Sequence, residues 1–168
     1  MQAGPSRFSY TSDMLSPADK REAYEEAIRQ LDSILAGESH MIMKMATITC
    51  VLREALPYFF WVGFYLAHDG ELVVGPYQGT LGCLHISYDR GVCGAAARTG
   101  AVQVVPDVAQ FPGHIACDGN SRSEICVPVH DQAGRLIAVF DVDSTELNSF
   151  DAIDEAFLSR IMRQHFSR

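Results

Sequence analysis

The chain has 168 residues, 48% hydrophobic and 20% charged, with 13 Lys and Arg against 21 Asp and Glu and a formal net charge of −8. That much apolar content excludes an extended disordered chain, and a chain this long can bury a core without disulfide or metal staples. The acidic balance removes the electrostatic attraction that dominates binding to nucleic acid or anionic membrane, so neither is expected as a partner.

The first thirteen residues, MQAGPSRFSYTSD, carry no apolar secretory segment. The longest apolar stretch, Leu56 to Ala67, is too short for a spanning helix, which needs about 20 residues. The expected location is the cytoplasm, where the five cysteines start as thiols, and their odd number argues against a fully paired secreted framework. Residues 1–15 read as a flexible lead-in and 16–168 as a single domain. Ser16-Pro17 opens a first helix, with Asp19 at its positive end. Tyr24, Ala27, Ile28, Leu31, Ile34 and Leu35 form its apolar stripe, and Gly37 stops it. Ser39 is expected to cap a second helix with Met41, Met45, Ile48 and Leu52 inward, ended by Pro57.

From Tyr58 the period changes to two. Strands are expected at 58–67 and 71–77 around the His68-Asp69-Gly70 turn, then at 84–87, 101–105, 122–130 and 135–143. Residues 92–98 read as a short helix and 106–121 as a long loop, of the kind that often carries function. A final helix from about Ser149 turns Ile153, Ala156, Phe157, Ile161 and Met162 inward. The sum is an α+β fold with helices layered on a mostly antiparallel sheet.

Strand parity sorts the candidate site. Phe60, Val62, Phe64 and Leu66 share one face of the first strand, and Trp61, Gly63 and Tyr65 the other, where the glycine leaves room beside two rings. In 135–143, Asp141 and Asp143 point the same way at the strand end. They either cap the turn at Ser144-Thr145 or lie buried together, in which case a pKa rises or a cation sits between them. Glu124 faces away from Ile125, Val127 and Val129 and is placed to join them. No two cysteines have C-x-x-C spacing, which argues against a zinc ribbon or thioredoxin-type site. Cys117, in the long loop near His114 and Arg122, reads as an accessible thiol, while Cys50 and Cys126 read as inert buried ones.

Seven segments carry a resemblance. They are Trp61-Val62-Gly63-Phe64-Tyr65-Leu66, Gly75-Pro76-Tyr77-Gln78-Gly79, Gly91-Val92-Cys93-Gly94, Val105-Pro106-Asp107-Val108, Phe111-Pro112-Gly113-His114-Ile115-Ala116-Cys117-Asp118, Ser121-Arg122-Ser123-Glu124-Ile125 and Asp141-Val142-Asp143-Ser144. From about residue 20 to 165 the chain resembles the free methionine-(R)-sulfoxide reductases, small cytosolic enzymes built on a GAF domain. The resemblance implies a central antiparallel sheet of about six strands with helices on both faces, usually in a homodimer. It implies Cys117 as nucleophile and Cys83 and Cys93 as recycling cysteines. It further implies Trp61, Tyr65, Glu124, Asp141 and Asp143 as the substrate pocket. Phe60 stands where the family usually has a polar residue, Asp89 where it often has a glycine, and Cys126 where it has an apolar residue.

The implied reaction needs a thiolate to attack sulfur, a protonated carboxyl such as Glu124 or Asp143 to protonate the departing oxygen, and a second thiol to capture the sulfenic acid. No metal and no cofactor are expected beyond a thiol reductant, a thioredoxin-like donor or dithiothreitol in vitro. Two other readings stay open. One is a non-catalytic GAF module that binds a small ligand. The other is a metal-dependent or redox-sensing protein using Asp141, Asp143, His114 and cysteines.

Overall fold

A computed structural model of the protein describes residues 14–114 and 117–167, so the lead-in up to residue 13 lies outside the described residues. Helix α1 (Pro17–Ile34) starts where Ser16 Oγ accepts a hydrogen bond from the Asp19 backbone N–H at 3.2 Å. Leu15, expected in the lead-in, packs against the core instead. Tyr24, Ala27, Ile28, Leu31 and Leu35 are buried, but Ile34 is 59% exposed, because the Leu31–Leu35 step already completes the inward row.

Helix α2 (Met41–Ala55) is capped by His40, whose Nδ1 accepts from the Met43 N–H at 3.3 Å, and not by Ser39. The Glu38 carboxylate accepts from the N–H groups of both Ser39 and His40, at 2.8 and 2.9 Å, and moves the helix start on by a residue. Met45, Ile48 and Leu52 are buried, while Met41, in the first turn, is exposed.

Strand β1 (Trp61–His68) begins later than expected, because a turn through Phe59, whose N–H donates to Leu56 O, follows α2. Asp69 and Gly70, with φ of 47° and 86°, form the tight turn to β2 (Glu71–Gln78); glycine and aspartate tolerate these left-handed angles better than other residues. Then come β3 (His85–Ser87), α3 (Gly91–Thr99), β4 (Gln103–Val105), β5 (Ser123–His130), β6 (Leu136–Ser144) and α4 (Ala152–Phe166). Between β4 and β5 the long loop contains one 3-10 turn, Val108–Gln110.

The strands form a six-stranded sheet in the order β3-β2-β1-β6-β5-β4, every neighbouring pair antiparallel. Helices cover both faces, as expected. On one face α1, α2 and α4 bury Tyr24, Leu31, Met45 and Leu158 against Val62, Phe64, Phe140 and Val142. On the other, α3 and the long loop cover Trp61, Tyr65, Val139 and Cys126. Phe60 packs on this second face, contrary to strict alternation, since it precedes the strand.

A buried polar cluster ties α1 to α4. Lys20 Nζ lies 2.6 Å from Asp154 Oδ2, while the hydroxyls of Tyr24 and Tyr58 donate to Asp154 Oδ1 at 2.8 and 2.6 Å. Asp154 thereby takes an inward position, and Ala156, expected inward, faces solvent.

Candidate active site

Two rungs cross the second face of the sheet. Trp61 of β1 pairs in register with Asp143 of β6, which pairs with Glu124 of β5. One rung along, Gly63 pairs with Asp141, which pairs with Cys126. Strand alternation places all these residues on the same side. Three acids therefore meet under α3, with Glu124 and Asp141 buried. This settles the choice between burial and turn-capping, because the turn is made by Ser144 itself, whose Oγ accepts from the Glu146 N–H at 3.3 Å.

The aromatic wall is a stack of three rings. Trp61 stacks on Tyr65, centroids 5.6 Å apart, and on Tyr77 at 5.2 Å. The expected room at Gly63 is taken by Tyr77: a Cβ added at Gly63 would sit 2.3 Å from Tyr77 Cβ. Trp61 Nε1 donates to Thr80 O at 3.1 Å, and the Thr80 hydroxyl donates to the Asp118 carboxylate. That pair joins the loop after β2 to the loop that carries Cys117.

Cys83 and Cys117 are joined in a disulfide, their Cα atoms 5.2 Å apart. Cys93 is buried on α3, its sulfur 3.3 Å from that of Cys126. Cys126 is buried as expected but not inert packing: its sulfur lies 3.1 Å from Glu124 Oε1 and 3.3 Å from Asp141 Oδ1. Cys50, expected to be buried, is exposed.

Trp61, Tyr65, Cys93, Cys117, Glu124, Asp141 and Asp143 line one cavity of about 30 Å³, with His114 in its wall. That is room for about two waters, far below the ~300 Å³ at which small-molecule pockets begin. All eight sequence-proposed site residues are thus brought together, Cys83 through its bond to Cys117. Cys126 was missed as a site residue, although it shares strand parity with Glu124, two residues away. Tyr77 was missed too, and only the β1–β2 register brings its ring to Trp61. His114 was proposed as a neighbour of Cys117 and as a member of the alternative metal set; its Nδ1 lies 4.0 Å from Glu124 Oε2. Arg122, the other expected neighbour of that thiol, is exposed.

Burial sets the electrostatics. It raises Glu124 well above the usual carboxylate range, with the charges of Asp141 and Asp143 adding to the effect. Burial also lifts Asp141 to about 6, opposed by hydrogen bonds from Cys126, Cys93 and Glu124. The Glu124–Asp141 bond favours a proton on Glu124 and a charge on Asp141. Asp143 is raised by burial and then by Asp141, against a hydrogen bond from Ser121. Burial raises the thiols of Cys93 and Cys126, and lowers His114, which favours its neutral form. Among the described residues, the donor atoms that converge closely enough to hold a metal are those of Cys93, Glu124, Cys126 and Asp141, not the alternative set with Asp143 and His114.

The model of the GAF domain family matches residues 47–164. GAF domain-containing protein A of Dictyostelium discoideum is 47% identical over 150 residues, covering 89% of this chain and 94% of that protein. The free methionine-R-sulfoxide reductase of Escherichia coli is 40% identical, covering 87% of this chain and 88% of its own. The solved structure of a free methionine-R-sulfoxide reductase from Neisseria meningitidis, in complex with its substrate, superposes with a TM-score of 0.83 at 42% identity, covering 91% and 92% of the two chains. The chain belongs to the GAF-domain free methionine-R-sulfoxide reductases. Members of this reductase family are oxidoreductases, which favours a catalytic reading over a GAF module that only binds a ligand. In this reductase no described helix is long and apolar enough to cross a membrane.

Proposed function

We propose that the protein reduces free L-methionine-(R)-sulfoxide to methionine with thiol electrons. The observation that carries the reading is the Cys83–Cys117 disulfide beside Trp61 and three carboxylates; the cavity of about 30 Å³ there is that of the disulfide form, and on this reading it widens to admit the amino acid once the disulfide is reduced. Cys117 attacks the sulfoxide sulfur as a thiolate. The oxygen takes up a proton held by Glu124 and passes to Cys117 as a sulfenic acid, while methionine leaves with both electrons. Cys83 then attacks the sulfenic sulfur, forming the disulfide and releasing water. Cys93 is the alternative thiol for this step. Exchange with a thioredoxin-like dithiol, or dithiothreitol in vitro, restores both thiols, and no metal or other cofactor takes part.

Charge explains the choice of a free amino acid. Its ammonium pairs with Asp141 and Asp143, and Trp61 and Tyr65 pack on the methyl-sulfur end. A sulfoxide within a polypeptide lacks that ammonium and leaves the carboxylates unpaired, a mismatch that discriminates strongly. Pairing of two copies is part of the reading; exposed Ile34, Met41, Ile42 and Met43, at the end of α1 and the start of α2, support it.

The test is dithiothreitol-dependent consumption of free methionine sulfoxide with the two sulfur epimers resolved. Loss of the R epimer alone, abolished in Cys117→Ser, is expected. Consumption of neither epimer by folded, reduced protein overturns the reading, and an active Cys117→Ser overturns the nucleophile.

A further inference from the structure

We infer that the floor of this cavity is also a binding site for one thiophilic divalent cation of the zinc class, held by Cys93, Glu124, Cys126 and Asp141. All four residues are buried, and their donor atoms lie within 4.8 Å of one another. The two sulfurs are 3.3 Å apart. Cys126 Sγ is 3.1 Å from Glu124 Oε1 and 3.3 Å from Asp141 Oδ1, and Cys93 Sγ is 4.0 Å from Glu124 Oε1. A tetrahedral zinc ion, with bonds of about 2.3 Å to sulfur and about 2.0–2.2 Å to oxygen, requires donor–donor edges of about 3.3–3.8 Å. Four of the six edges of the cluster lie within a few tenths of an ångström of that range.

The donor chemistry selects the ion. Two thiolates favour zinc or cobalt over magnesium or calcium, which take oxygen ligands. Cys126 is the decisive residue, because the β5–β6 register sets it opposite Asp141 and so completes the pair of sulfurs. A second observation points the same way. His114 Nδ1 is buried without a hydrogen-bond partner among the described residues, 4.0 Å from the second oxygen of Glu124. A ring nitrogen there is placed to support a metal-bound carboxylate from outside the ligand shell. Neither Cys83 nor Cys117 is used, so the ion and the disulfide coexist. A bound ion also keeps an ammonium from Asp141; that consequence alone rests on the substrate reading above.

The experiment titrates cobalt(II) into the disulfide form of the Cys50→Ser protein and needs no substrate. A thiol count on the denatured sample first verifies that Cys93 and Cys126 are free. One equivalent of cobalt is expected, with thiolate-to-cobalt charge-transfer absorption and tetrahedral d–d bands that zinc abolishes. Adding Cys126→Val removes a direct ligand and is expected to weaken binding by more than the roughly 10- to 100-fold that loss of an outer-shell partner costs. Adding Cys126→Ala removes the same donor without added volume, and circular dichroism verifies the fold of both. Absence of the charge-transfer band, binding unchanged in a folded Cys126 variant, or Cys93 and Cys126 closed on each other as a disulfide would each overturn the site.

Discussion

Asp141 sits directly across from Gly63 in the β1–β6 pair, so a buried carboxylate lies beside a strand position that has no side chain. On its other side Gly63 faces Tyr77, and a Cβ there would come within 2.7 Å of Tyr77 Cα as well. Gly63→Ala must push β1 and β2 apart beneath the Trp61–Tyr77 stack. A loss of about 2–3 kcal/mol is expected, checked by urea unfolding, with a changed near-ultraviolet dichroism signal from Trp61.

Asp141→Asn keeps the shape and removes the charge. If the ammonium binds there, KM rises roughly 10- to 100-fold while kcat changes only a few-fold. The same substitution relieves repulsion among three acids, so the midpoint of thermal unfolding is expected to rise. Steady-state kinetics and a thermal melt on one preparation test both effects.

The pH dependence has a definite sign. Asp141 shifts from an ordinary 3.8 to about 6 in the fold, so the folded state binds the proton more tightly than the unfolded chain. Stability therefore falls as pH rises from about 4 to about 6, and this contribution levels off above that. Glu124 and Asp143, raised in the same direction, extend the fall upward. Activity runs the other way at first. The kcat/KM for the sulfoxide is expected to rise through about pH 6 as Asp141 ionises, then decline as Glu124 loses its proton. Urea unfolding and kcat/KM across pH check the two curves.

Cys83→Ser separates capture of the sulfenic acid from its formation. In a single turnover without reductant, the variant is expected to form methionine and to leave Cys117 trappable by dimedone. The parent protein should close the disulfide and give no adduct. An adduct-free Cys83→Ser that instead forms a Cys93–Cys117 disulfide would reassign the capturing thiol.

Asp154→Ala removes the closest partner of buried Lys20, which keeps Asp151 at 3.0 Å, and takes the acceptor from the buried hydroxyls of Tyr24 and Tyr58. A loss of about 3–5 kcal/mol is expected in chemical unfolding, with the site's chemistry retained at low temperature, since the cluster lies on the opposite face of the sheet.

The local order of elements was legible in the sequence because the caps, turns and hydrophobic periods act over three or four residues. Ser16-Pro17 started α1, His68-Asp69-Gly70 turned the first hairpin, and alternation in β6 put Asp141 and Asp143 on one side. Such signals blur at element ends, where Ser39 gave way to His40 and Phe60 fell outside its strand. Strand parity picked out the rings and acids of the site and loop position picked out Cys117; the resemblance then gave each a role, and neither supplies distances.

What only the tertiary structure decided is what lies across the sheet. The register between β5 and β6 turned Cys126 from apparent packing into a neighbour of Glu124, Asp141 and Cys93. The approach of β2 filled the space beside Gly63 with Tyr77. The docking of α4 on α1 placed Asp154 under Lys20 and two tyrosines. Periodicity along one strand or helix says which way a side chain points; burial and pKa depend on what another segment, tens of residues away, brings to meet it.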